Sequence, residues 1–154
     1  MKYFVFGTLF DEDILAALIE RIPKNCEAVL HGYGVFLGDS KSLNEDLKKD
    51  IGSKRDLSTF SFLFAKKSTQ NEEIKGKIVE LEHNEENFFD AWERCPKWYQ
   101  KEKATATDSE GVKHEVCVYV QNIDGKRLNS FERIQGDKKS YVDAAKRLHE
   151  KLIS

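Results

Sequence analysis

Two short segments carry residue types at a spacing that chemistry could use. The first is Phe4-Val5-Phe6-Gly7-Thr8-Leu9, an apolar strand pattern that runs into a glycine and then a helix start. Glycine permits the dihedrals of a tight nest, and a following helix leaves its first N–H groups unpaired at its positive end. Such a turn can therefore hold an anionic group. Glycine also occurs in strand-to-helix turns for geometry alone, and that reading stays open. The second segment is Phe88-Phe89-Asp90-Ala91-Trp92-Glu93-Arg94-Cys95-Pro96-Lys97-Trp98-Tyr99, which places a carboxylate near a helix end among large rings. Beside Trp92, Trp98 and the phenylalanines, the charged form of Glu93 is poorly solvated, and its pKa rises toward the range useful for proton transfer. The plain alternative is a solvated surface glutamate.

The elements that must position these residues follow from hydrophobic periodicity. Lys2 to Phe6 reads as a strand. Asp11 caps a helix whose stripe is Ile14, Leu15, Leu18, Ile19 and Ile22, and Pro23 stops it. Glu27 to Leu37 reads as one strand loosened by Gly32 and Gly34. The polar, lysine-rich stretch from Gly38 to Asp56 is a loop with a short helix on Leu43, Leu47 and Ile51. Phe60, Phe62 and Phe64 alternate as a strand, and the pattern predicts a hairpin between it and Ile74 to Leu81. Asn84 opens a helix with Phe88, Phe89 and Trp92 on one face, and Pro96 limits it. Tyr99 to Thr107 and Lys113 to Gln121 flank the turn Asp108-Ser109-Glu110-Gly111 as a second hairpin. Tyr141, Ala144, Ala145, Leu148 and Leu152 mark a final amphipathic helix expected to dock on the sheet.

Composition narrows the function classes. A chain of 154 residues, 40 % hydrophobic and 34 % charged, reads as a single domain over residues 1–154, too apolar for disorder and too charged for a membrane span. The formal charge of -2 supplies no global field for nucleic acid or an anionic membrane, so a small-molecule or protein partner fits better. The apolar opening is followed at once by Asp11, Glu12 and Asp13 without a small-residue cleavage site, which reads as a core strand rather than a leader. Cys26, Cys95 and Cys117 are odd in number and widely spaced, and His31, His83, His114 and His149 lack ligand spacing. Neither a disulfide framework nor a metal site is expected, and the cytoplasm is the natural setting. The basic run Lys48, Lys49, Lys54 and Arg55 is interrupted by Asp50 and Asp56 and reads as a solvated face.

Taken together, these segments resemble the gamma-glutamylcyclotransferase-like family. Phe4 to Leu9 is similar to its F-V-Y-G-T-L opening, and Asp90-Ala91-Trp92-Glu93 to its L-D-x-x-E-G segment, in the same order and at the expected separation. Gly32-Tyr33-Gly34-Val35-Phe36 is similar to a G-Y-x-L-F strand, Gly76 to Leu81 to a G-x-L-Y-x-L strand, and Tyr99 with Lys101 to Y-x-R. The resemblance spans roughly residues 2 to 121. It implies an α+β fold, a small mixed and partly closed β-barrel with helices packed outside, and a pocket between the first turn and the Glu93 helix.

It also implies cyclotransfer on a small gamma-glutamyl compound, without metal or cofactor. Glu93 would be the acid/base residue, with Phe6, Gly7, Thr8, Leu9, Tyr99 and Tyr119 lining the substrate site. Buried tyrosines satisfied by backbone are the alternative for Tyr99 and Tyr119. The chain departs from the family pattern at Phe6 (tyrosine there), Arg94 (glycine), Lys101 (arginine) and the longer 38–56 stretch. A non-catalytic binding module on the same scaffold, and a protein-interaction domain, remain as competing functions.

Overall fold

The computed structural model describes residues 1–154. Eight strands form one sheet: β1 (Lys2–Val5), β2 (Asn25–His31), β3 (Tyr33–Asp39), β4 (Ser61–Lys67), β5 (Glu73–Glu80), β6 (Gln100–Asp108), β7 (Lys113–Val120) and β8 (Lys126–Leu128). Their order is β1-β5-β2-β6-β7-β4-β3-β8, and a parallel contact between β1 and β7 at Tyr3 and Cys117 closes the first five into a barrel. The remaining strands extend the sheet from β7. Four helices, α1 (Glu12–Ile19), α2 (Glu45–Gly52), α3 (Glu86–Trp92) and α4 (Lys138–Ile153), complete the mixed α+β architecture that the resemblance implied. None is long and apolar enough to cross a membrane.

Strand alternation explains how one chain fills two cores. Successive side chains of a strand point to opposite faces. On β1, Phe4 enters the core with Leu30, Ile78 and Val116, while Tyr3 and Val5 enter the other core with Ile14, Leu18 and Phe89. On β7, Val116, Val118 and Val120 join the first set and Tyr119 the second. β1 is thus buried on both sides. Gly76 is required where β5 crosses it, because a Cβ there would lie 2.4 Å from Val5 O and 2.6 Å from the Phe4 ring.

Several expectations need correction. The single strand over Glu27 to Leu37 is two, because Gly32 turns the chain with φ +83° and sends β2 to β5 and β6 but β3 to β4 and β8. The runs around Phe62 and Ile78 are not a hairpin: β4 pairs with β3 and β7, and β5 with β1 and β2. β5 is taken into the barrel between β1 and β2, while β4 joins the extension between β7 and β3. The hairpin of β6 and β7 forms as expected, from Gln100 opposite Val120 to Thr107 opposite Lys113. Asp11 caps α1 through Asp13 N (2.9 Å) and Ile14 N (3.2 Å), but Glu20 turns left-handed and ends the helix, so Ile22 lies exposed off the stripe.

The entry to α3 is also different. Asn84 is not the cap; a 3-10 turn over His83–Glu85 precedes the helix, and Glu82 and Glu85 form a reciprocal capping box. α4 packs on α1 and α3 rather than on the sheet, and it is Ile14, Leu18 and Phe89 of those two helices that share the core with Tyr3 and Val5 of the sheet. The buried His149 contacts Leu18 O through Nδ1 at 2.7 Å and stacks on Phe88 at 4.7 Å.

Glu85 pins α1 to α3. Its buried carboxylate accepts Arg21 Nε at 2.6 Å and Nη2 at 2.5 Å, and also the Glu82 N–H at 2.8 Å. The Arg21 hydrogen bonds hold its pKa below the ordinary value against the opposing effect of burial. A depressed carboxyl stabilises the fold above its unfolded pKa, and that contribution is lost as pH falls through the folded value. Glu85→Ala is expected to lower unfolding free energy by about 1–3 kcal/mol at neutral pH, with the gap to wild type closing in denaturant titrations below the carboxylate range.

Candidate active site

The first turn and the end of α3 meet because both are tied to β1. After Val5 the chain leaves the barrel, and Thr8–Phe10 forms a single 3-10 turn closed by Phe10 N to Gly7 O at 3.1 Å. The hydrogen bonds of turns and loops include none donated by the N–H of Gly7, Thr8 or Leu9. These are the unpaired donors that a helix start leaves. The left-handed nest is not formed, since Gly7 has φ -98°, and a Cβ there would meet only Arg133 O at 4.0 Å. Trp92 Nε1 donates to Thr8 Oγ1 at 3.0 Å and so joins α3 directly to this turn.

Glu93 is the C-cap of α3. Cys95 N donates to Asp90 O at 2.9 Å and Arg94 N to Ala91 O at 3.2 Å, the paired bonds of a Schellman motif with Arg94 as its left-handed residue, φ 51°. This explains why the family pattern has glycine after the glutamate. Here Arg94 takes the left-handed conformation, and its guanidinium pairs with Asp50 on α2. Two departures from the family pattern, Arg94 and the 38–56 stretch, are therefore in contact. α2 spans Glu45–Gly52, buries Leu47 and Ile51 as their spacing predicted, and forms a wall beside Glu93.

A groove of ≈ 980 Å³ runs between α2 and α4, with Gly7, Thr8 and Glu93 among its lining residues. A recess of ≈ 40 Å³ shares Phe6, Gly7, Thr8, Glu93 and Tyr99 with it and adds Leu9 and Tyr119. All the residues singled out from the sequence thus surround one place, although they contribute differently. The Leu9 side chain belongs to the core, leaving its backbone for the turn. Tyr99 OH donates to Leu63 O at 2.6 Å and Tyr119 OH to Asp90 Oδ1 at 2.5 Å, so both hydroxyls already donate within the protein. The Phe6 ring packs edge-on against Phe131 at 6.0 Å, an apolar neighbour that needs no hydroxyl.

The Glu93 carboxylate has no hydrogen-bond or ion-pair partner, and burial alone pushes its pKa up from 4.5 to about 7. Nearby, Lys101 Nζ donates to Asp90 Oδ1 at 2.9 Å and to Tyr3 OH at 3.0 Å, while Tyr3 OH donates to Glu86. Burial disfavours the Lys101 cation, but the bonds to Tyr3 and Asp90 outweigh it and raise its pKa. Lys101 therefore stands as a fixed cation that neutralises Asp90 and leaves Glu93 as the uncompensated carboxylate.

Sequence reading missed Arg133, which lies in no motif. It lines the groove, donates through Nη1 to Phe6 O at 2.7 Å and Lys75 O at 3.1 Å, and sits over the Phe10 ring at 3.8 Å. No group of three or more His, Cys, Asp or Glu side chains is assembled in a way that could hold a metal ion.

Two stability predictions follow from this geometry. Because folding raises the Glu93 pKa, the native state binds its proton more tightly than the unfolded chain, and stability declines as pH rises from about 4.5 to about 7. Glu93→Gln is expected to match wild type below that window and exceed it above, by up to ~3 kcal/mol, in denaturant titrations at the two ends. Arg94→Gly and Arg94→Ala both lose Asp50, but only glycine relieves the left-handed backbone. The glycine variant should be the more stable by about 1 kcal/mol, and equal midpoints would contradict that account.

Comparison with known proteins gives this arrangement a family. A gamma-glutamylcyclotransferase from Methanocaldococcus jannaschii, whose name also includes an RNase assignment, is 27 % identical over 119 residues, covering 77 % of this chain and 45 % of that protein. The chain thus spans less than half the length of this curated relative. Among solved structures, one named gamma-glutamyl cyclotransferase superposes with TM-score 0.63 at 14 % identity, covering 99 % of this chain and 86 % of the other. A Homo sapiens protein gives 0.61 at 14 %, covering 99 % and 86 %, and an Arabidopsis thaliana protein 0.55 at 21 %, covering 99 % and 84 %. At those identities the likeness is one of fold. The family model described as gamma-glutamyl cyclotransferase, AIG2-like, matches residues 3–141, and the chain belongs to that family.

Proposed function

We propose that the protein is a cyclotransferase that cuts a small gamma-glutamyl compound into 5-oxoproline and a free amine or amino acid, with Glu93 carrying the protons. The observation that carries this reading is the unpartnered Glu93 carboxyl, held near pH 7 by burial, in the recess that also contains the turn at Gly7. Family membership and the named activity of the Methanocaldococcus jannaschii relative support it.

The reaction needs little machinery, because the nucleophile is tethered to its target. The substrate α-amine attacks its own γ-carbonyl carbon, a C–N bond closes the five-membered lactam, and the original γ-amide C–N bond breaks. The α-ammonium gives up two protons and the leaving nitrogen, departing as an ammonium, takes up two. Glu93 accepts from the first nitrogen and donates to the second, a shuttle for which a pKa near 7 is suited. The backbone donors of Gly7, Thr8 and Leu9 hold an anionic group, either the substrate α-carboxylate or the oxyanion that develops on the γ-carbonyl. The groove wall folds the chain so that amine and carbonyl meet, which is where most of the rate comes from.

The test is 5-oxoproline release from a panel of gamma-glutamyl amino acids, amines and isopeptides. Wild type should release it, with kcat/KM falling as pH drops through about 7 and Glu93 takes up its proton. Glu93→Gln should be slower by about 10²-fold or more. Equal rates in the two proteins would remove Glu93 from the mechanism. Absence of product from every substrate would replace the enzyme with a binding module on the same scaffold.

A further inference from the structure

The walls of the groove are far more cationic than the chain as a whole. The protein carries a formal charge of -2. Yet Lys54 and Arg55 at the end of α2, Lys97 after α3, Arg133, and Arg147 and Lys151 on α4 all line the groove, and none of them is in an ion pair. Of the lining carboxylates, Asp50 is paired with Arg94 and Asp90 with Lys101, which leaves Glu93 alone without a partner. The fold collects these cations. Arg147 and Lys151 are one helical turn apart on the face of α4 that also presents Tyr141, Ala144 and Leu148 to the groove. Lys54 and Arg55 come from the opposite wall, and Arg55 lies 5.8 Å from the centres of both the Phe60 and Tyr141 rings, reaching across from α2 to α4.

Glu93, Gly7 and Thr8 line this groove as well as the recess, so a gamma-glutamyl group held against Glu93 and the turn at Gly7 keeps its leaving amine within the groove, between the two cationic walls. A cleft lined by one sign of charge focuses its field on whatever enters. We propose that the groove selects gamma-glutamyl substrates whose leaving amine carries carboxylates, with Arg55 and Arg147, one from each wall, as the specificity-determining cations. This rests on the cyclotransfer reading for the position of the leaving group. It adds to that reading a substrate class: acidic amino acids or acidic peptides in gamma-glutamyl linkage, in preference to gamma-glutamyl amines that end in a cation. The volume of the groove leaves room for a leaving group larger than one amino acid.

A charge series decides it. Four compounds share the reacting bond and differ in the charge of the leaving amine: gamma-glutamyl-putrescine (positive), gamma-glutamyl-ethylamide (neutral), gamma-glutamyl-alanine (one carboxylate) and gamma-glutamyl-glutamate (two). At low salt, kcat/KM for 5-oxoproline release is expected to rise along the series by at least ~10-fold from first to last, and to flatten at high salt. In the double variant Arg55→Gln/Arg147→Gln, both sites exposed at the groove walls, the advantage of the glutamate over the ethylamide should shrink severalfold.

A series that is flat, runs the other way, or is unchanged in the double variant would overturn the proposal. Calorimetric binding of the same four compounds to Glu93→Gln separates this from failure of the chemistry. If wild type releases no product, cyclotransfer falls, and the charge preference is decided by affinity alone: tighter binding of the glutamate supports selection, and equal affinities end it.

Discussion

A short strand buried on both faces must be held by everything around it, and β1 is such a strand. It pairs antiparallel with β5 along its length and touches β7 in parallel at Tyr3, which shuts the barrel. Its side chains divide between two cores, and its edges are occupied on both sides. An apolar segment with no free face has a single register, because a shift of one residue would exchange the two sets of side chains. The turn that begins at Gly7 therefore leaves the barrel at a defined place. Tyr3, on the same strand, joins Glu86 on α3 and, through Lys101, Asp90 as well. The turn and the end of α3 are both hung from β1, and the bond from Trp92 to Thr8 closes the triangle.

Within this frame Glu93 is the costly residue. Its neighbours Asp90, Glu85 and Glu86 all have partners, whereas Glu93 has none and is kept near neutral pKa by desolvation. A carboxyl in this condition opposes folding at neutral pH and is retained where a poised proton is of use. The left-handed Arg94 beside it is a second local cost, one that glycine would avoid. In return the guanidinium ties α2 to the rim of the site. The 38–56 stretch is thus part of the groove, since α2 supplies one wall and two of the unpaired cations stand at its end.

Much of this was legible in sequence because it is local. Asp11 capping α1, the stripe from Ile14 to Ile19, Leu47 and Ile51 on α2, and the hairpin of β6 and β7 each follow from residues a few positions apart. What failed was long-range or depended on a single backbone angle. Gly32 split a continuous apolar run into strands with different partners, and the pairing of β4 and β5 went to strands distant in sequence. Likewise, of the apolar stripe of α4 Ala145 is buried and Tyr141, Ala144 and Leu148 are half-buried, but Leu152 is exposed, and the helix rests on α1 and α3 rather than on the sheet.

The candidate site divides in the same way. Residue types along the chain raised Glu93 and the turn at Gly7 as candidates, since a carboxylate among rings and a glycine before a helix are recognisable within a few residues, and the family resemblance supplied their expected roles together with those of Phe6, Leu9, Tyr99 and Tyr119. Whether Glu93 is partnered, where the tyrosine hydroxyls donate, that Arg133 fastens Phe6, and that scattered lysines and arginines line one groove were decided by tertiary structure alone. The physical reason is that solvation and electrostatic field depend on distances in space. A net charge of -2, summed along the chain, says nothing about where the fold gathers its cations.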